Sequence, residues 1–126
     1  MPEEQIRDAY LAIWVKEPEK PEARGQLKEL LAAAEEAELV DWCDVIQAHR
    51  SYLRGRKGEA LKLVQRVLRR GPENTFALLL KALVAKTDRT RGNAAKKVVE
   101  LTKKSRRAHD RVAWAVGTRR FVLPEA

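Results

Sequence analysis

Residues 41–101 read DWCDVIQAHRSYLRGRKGEALKLVQRVLRRGPENTFALLLKALVAKTDRTRGNAAKKVVEL, and the stretch matches itself when slid along by 34 positions. The shift pairs Ala48 with Ala82, Gly58 with Gly92, Ala60 with Ala94, Val64 with Val98 and Val67 with Leu101. Small residues at fixed points in both helices of a hairpin let the helices approach closely. Stacked hairpins then bury faces that no single hairpin could bury alone. The period therefore predicts an array of antiparallel helix pairs.

The rest of the chain agrees with this reading. Strand-like alternation is absent, and Gly and Pro divide the sequence into short helical segments. Residues 2–16 place Ile6, Tyr10, Ile13 and Trp14 on one face before Pro18 and Pro21 stop the helix. Residues 22–37 put Ala23, Leu27, Leu30, Leu31 and Ala34 on one face, with acidic residues elsewhere. A third helix from Leu39 to Arg54 carries Val40, Cys43, Ile46 and Leu53 among its apolar positions, and Gly55 and Gly58 bracket the next turn. A fourth, 59–70, turns Ala60, Leu61, Val64, Val67 and Leu68 inward and ends at Gly71 and Pro72. The fifth, from Glu73 to Lys86, is apolar on most sides and reads as the most central. A sixth follows the turn from Thr87 to Gly92 and runs to Arg107, with Ala94, Ala95, Val98, Val99 and Leu101 inward. Residues 109–116 begin a seventh, interrupted near Gly117.

The segment from Asp41 to Leu101 resembles the tetratricopeptide repeat. The resemblance rests on Ala48 in a first helix, Gly55 at the turn, Ala60 and Val67 in a second helix, and Pro72 before the next unit. Aliphatic or polar residues fill most of the family's usual aromatic positions, and the second copy has no closing proline. The resemblance implies an all-α fold, a right-handed α-solenoid of antiparallel hairpins with about seven helices. It would form one domain: a degenerate hairpin at 2–38, repeats at 39–72 and 73–107, and a capping helix and tail at 109–126.

It also implies binding without catalysis, with a peptide held in a groove lined by the first helix of each pair. Carried onto this chain, the groove would be lined by Trp42, Val45, His49 and Tyr52 from one repeat and by Phe76, Leu79, Leu83 and Lys86 from the next. Family members that grip a terminal carboxylate use Lys and Asn, where this chain has Val45, His49, Leu79 and Leu83. A carboxylate-terminal ligand is therefore not expected.

Composition points toward an acidic partner. The 126 residues carry a formal net charge of +8, with 44% hydrophobic and 35% charged residues, a globular makeup that folds without help. The charge is segregated. Residues 1–49 hold five Lys or Arg against twelve Asp or Glu, a balance of −7, and residues 50–126 hold twenty-one against six, a balance of +15. Such a split suits attraction of an acidic molecule, or self-association between opposed ends. The wealth of Glu, Lys and Arg with few Asn, Gln and Ser also resembles proteins of hot environments.

The cations are ordered. Lys62, Arg66, Arg69 and Arg70 recur at helical spacing in the fourth helix, as do Lys96, Lys97, Lys103, Lys104 and Arg107 in the sixth. Arg54, Arg56 and Lys57 in one turn and Arg89 and Arg91 in the equivalent turn extend the surface, and stacked repeats would set the stripes side by side. An acidic protein or peptide is the first partner this surface suggests. The alternative is a nucleic-acid phosphate backbone, though the stripes lack interleaved aromatics for base stacking.

No catalytic residue, metal site, cofactor or small-molecule substrate is expected. Cys43, His49, His109, Asp41 and Asp44 are the reactive types present, and their spacing does not bring them together. No phosphate loop or metalloprotease helix occurs. One cysteine and the lack of a secretion signal suggest a cytoplasmic protein. The longest mostly apolar stretch, Phe76 to Ala85, is interrupted by Lys81 and is about half the roughly 20 residues of a membrane span, so no membrane partner is expected. The terminal Phe121, Val122 and Leu123 would cover the last hairpin or dock onto another molecule.

Overall fold

Short turns dictate the architecture. A computed structural model of the chain describes residues 1–121. Those residues form seven helices: α1 Glu3–Lys16, α2 Ala23–Glu36, α3 Val40–Leu53, α4 Lys57–Arg70, α5 Thr75–Val84, α6 Asp88–Thr102 and α7 Ala108–Arg120. The connections are three to six residues long, which makes successive helices antiparallel neighbours. Accordingly, one concavity at an end of the molecule is lined from the starts of α1, α3, α5 and α7 by Glu3, Asp41, Thr75 and His109.

Local chemistry sets the turns. Gly55 adopts φ +79° between α3 and α4, a left-handed conformation that a side chain would strain. The Asn74 side chain accepts from the amides of Phe76 and Ala77, both at 3.1 Å, and so caps α5. Thr87 caps α6 by accepting from the Thr90 amide at 3.2 Å. Arg91 ties α6 back to the end of α5 by donating to the carbonyls of Ala82 and Ala85 at 3.3 and 3.2 Å.

Each helix packs on the next, α3 also meets α5, and α7 packs against both α6 and α1. The expected central helix is confirmed: in α5 every residue from Ala77 to Val84 is buried except Lys81. In α4 the buried Ala60, Val64 and Val67 oppose the exposed Lys62, Arg66, Arg69 and Arg70, as the periodicity predicts.

Four expectations need correction. Helix α6 begins at Asp88, inside the expected turn from Thr87 to Gly92, and ends at Thr102 rather than Arg107, so Arg89 and Arg91 stand on the helix while Lys103, Lys104 and Arg107 lie in the turn before α7. Gly58 belongs to the first turn of α4 rather than to the connecting turn. In α3, Val40 is 61% exposed while Trp42, Val45, Ile46, Ala48 and His49 are buried, so the apolar face is rotated from the one expected. Finally, α7 is not interrupted at Gly117. It continues to Arg120, and a Cβ at Gly117 would lie 3.3 Å from Val99 Cγ2 and 3.4 Å from Val98 Cγ1 of α6. The glycine permits close approach of two helices instead of ending one.

Candidate functional site

The residues expected to line an open groove are mostly core. Val45, His49 and Leu79 are buried with no more than 1% exposure, and Trp42 and Leu83 retain 8%. Tyr52 and Phe76 are half-buried, and only Lys86 is exposed. The cause is α1. Its Tyr10 ring packs edge-on against Trp42, His49 and Phe76, with centroids 5.7, 5.5 and 6.3 Å away, and Trp14 meets His49 and Phe121 at 5.8 and 6.3 Å. The part of the expected face formed by Trp42, His49 and Phe76 is thus occupied by the chain's own first helix.

His49 shows how complete this occupation is. Its Nε2 lies 2.7 Å from the Pro18 carbonyl, which can only accept, so Nε2 bears the proton and Nδ1 accepts from the Tyr10 hydroxyl at 2.9 Å. Burial lowers the His49 pKa from 6.5 to about 4, although the Pro18 carbonyl works in the opposite direction. The ring is neutral at pH 7 and both nitrogens are satisfied, so His49 is a structural element and not a ligand contact.

The reactive side chains do not assemble. Burial, reinforced by the Glu35 and Asp44 carboxylates, raises the Cys43 thiol, opposite to the shift a nucleophile needs. His109 pairs with its neighbour Asp110 at 3.5 Å. Asp41 and Asp44 each receive a hydrogen bond of 2.7 Å from Arg70. Among the described residues no three His, Cys, Asp or Glu side chains converge as a metal site would require, and no helix is long and apolar enough to cross a membrane.

The basic surface is largely outward-facing. Arg54, Arg56, Lys57, Lys62, Arg66, Arg69, Arg70, Arg89, Lys96, Lys97, Lys103, Lys104 and Arg107 are exposed, and Arg91 is half-buried. Four of these are already engaged: Arg70 with Asp41 and Asp44, Arg66 with Asp44 at 3.8 Å, Arg56 with Glu59 at 3.8 Å, and Arg91 with Asp88 at 3.1 Å. The others enter no ion pair among the described residues. One concavity of about 440 Å³ joins α4, α5 and α6; Lys81, Asn93 and Lys97 line it above Leu68 and Leu78, and no carboxylate does.

A second groove, of about 450 Å³, runs between α1 and α7. Its apolar part comes from Trp14, Val15, Val112, Ala115 and Val116, and its cations are Arg111, Arg119 and Arg120. Sequence reading missed it. The helical stripe Arg111, Ala115, Arg119 is present in the sequence, but reading Gly117 as an interruption divided it. Phe121 is buried against Trp14 beside this groove, while Val122 and Leu123 lie outside the described residues.

Compared with known proteins, the chain matches no protein-family model, no curated protein and no solved structure.

Proposed function

We propose that the chain is a non-enzymatic, tetratricopeptide-like interaction module that binds an acidic polypeptide on its outer surface. The observation that carries this reading is the set of unpaired cations on α4, α6 and the α6–α7 turn: Lys62, Arg69, Lys96, Lys97, Lys103, Lys104 and Arg107. Exposed charge segregated to one part of a chain steers oppositely charged partners and raises their association rate. The filled inner face supports placing the partner outside. An acidic polypeptide is favoured over nucleic acid because no aromatic ring among the described residues is fully exposed. Tyr10, Trp14, Trp42 and Phe121 are buried, Tyr52 and Phe76 are half-buried, and the half-buried Trp114 already stacks with Arg111, which leaves few platforms for bases. Self-association between the acidic α1–α2 end and this surface belongs to the same reading.

The test is fluorescence anisotropy with labelled polyglutamate, duplex DNA and single-stranded RNA at about 50 and 200 mM salt, where phosphate contacts weaken steeply. Polyglutamate is expected to bind at micromolar concentration in the lower salt, and the combined variant K62E/K97E/K104E to weaken it about tenfold, a loss of about 1.4 kcal/mol. Absence of polyglutamate binding at the lower salt sinks the reading. Tighter binding of a nucleic acid, lost at the higher salt, would replace it with phosphate-backbone recognition.

A further inference from the structure

The groove between α1 and α7 differs from the rest of the basic surface, because there the cations border exposed apolar side chains. Val15 of α1 is 63% exposed, among the most exposed large apolar side chains of the described residues. It lies with Val112 and Ala115 of α7, both half-buried, above the buried Trp14 and Val116. No carboxylate lines the groove among the described residues. Arg119 is exposed at one end. Arg111 stands at the other, with its guanidinium 4.9 Å from the Trp114 ring centroid and one nitrogen donating to the Lys103 carbonyl at 3.4 Å, which leaves donors free. Arg120 lies on the same side but is paired with Glu19 at 3.2 Å.

We propose, building on the reading above, that this groove seats one amphipathic helix of the acidic partner. Its apolar side chains would rest on Val15, Val112 and Ala115, and its carboxylates would meet Arg111 and Arg119. The spacing on α7 sets the partner's pattern. Arg111, Ala115 and Arg119 fall at i, i+4 and i+8 on one helix face, so the two arginines stand about 12 Å apart at 1.5 Å per residue. A helix lying alongside presents matching groups when a carboxylate, an apolar residue and a second carboxylate recur at the same interval of four. Charge complementarity selects this occupant: the apolar floor gives a phosphate backbone nothing to contact, and the rim cations disfavour a basic segment.

The probe is a 16-residue acidic peptide with Glu, Leu and Glu at intervals of four, set against a scrambled peptide of the same composition and against polyglutamate. Binding is followed by anisotropy at about 200 mM salt, where purely electrostatic attraction is largely screened. The patterned peptide is expected to bind, and the scrambled one at least tenfold more weakly. V15E and R119E, both at exposed positions, are expected each to weaken the patterned peptide about tenfold with an unchanged circular dichroism spectrum. K62E/K97E should change it less than threefold.

Equal binding of patterned and scrambled peptides, or indifference to V15E and R119E with sensitivity to K62E/K97E, overturns the groove and leaves the acidic-partner reading in place. Failure of every acidic probe, polyglutamate at low salt included, removes both. A dimer in sedimentation that V15E dissolves would make a second copy of the chain the occupant and likewise overturn the proposal.

Discussion

His49 stands in the sequence as a polar residue on a helix face and in the fold as a filled node between α1, α3 and the turn at Pro18. Its folded pKa of about 4 lies below its ordinary value of 6.5, so the unfolded chain takes up a proton in that interval while the folded one does not. Stability from this group is fully present above pH 6.5 and drains away as pH falls toward 4. Two and a half pH units at 1.36 kcal/mol each give a loss of about 3 kcal/mol. Urea denaturation at pH 7, 6, 5 and 4 should show this decline, and His49→Gln should flatten it; an equal slope in the variant would assign the pH response to other groups. Tyr10→Phe probes the same node from α1. It leaves His49 Nδ1 buried without a donor, which should cost about 1–3 kcal/mol at pH 7.

At the scale of elements, amphipathic periodicity reads well where a helix has one buried face and poorly where it has two. Helix α4 has one: Ala60, Val64 and Val67 face inward and its cations face water. Helix α3 packs against α2 and α4 and also against α5, so both the Ile46 side and the Trp42, Val45, His49 side are buried. Pattern alone could not separate a second core face from a ligand groove. Arg70 crossing to Asp41 and Asp44 likewise turns part of an expected binding stripe into a surface link between α3 and α4. With Arg70 and Asp41 more than a third exposed, that link is worth under about 1 kcal/mol.

Gly117 carries the sharpest prediction at this scale. Alanine gains about 1 kcal/mol of helix propensity but crowds Val98 and Val99, so Gly117→Ala should be close to neutral. Gly117→Val cannot be absorbed and should cost about 1–3 kcal/mol through overpacking. Thermal or urea unfolding compares the two; a neutral valine variant would show that α7 does not press on α6 as described.

At the scale of the whole molecule, the decisive feature is that α7 reaches back to α1. Arg120 donates to Glu19 at 3.2 Å across 101 positions of sequence, and Trp14 packs on Phe121. The closure creates the groove between α1 and α7 and buries Trp14 to 1% exposure. A chain ending after Arg107 uncovers Trp14 together with Val98 of α6. It is expected to bind the dye ANS strongly and to lose its cooperative urea transition, and retention of a sharp transition would mean that α1–α6 form a self-sufficient core.

Helix number, the turns at Pro18, Gly55 and Pro72, the central place of α5 and the outward cations of α4 and α6 were determined by the sequence alone. Each depends on interactions within a few residues: periodic apolar positions, Gly55 and Pro72 at turns, and the solvation cost that keeps Lys and Arg outside. The tertiary structure alone decided that the inner face is filled by Tyr10 and Trp14, that Gly117 is a contact point, and that Arg111 and Arg119 share a groove with Val15. Those outcomes depend on how the packing angles of seven helices accumulate until the last meets the first. That sum joins residues about a hundred positions apart, and local pattern holds no record of it.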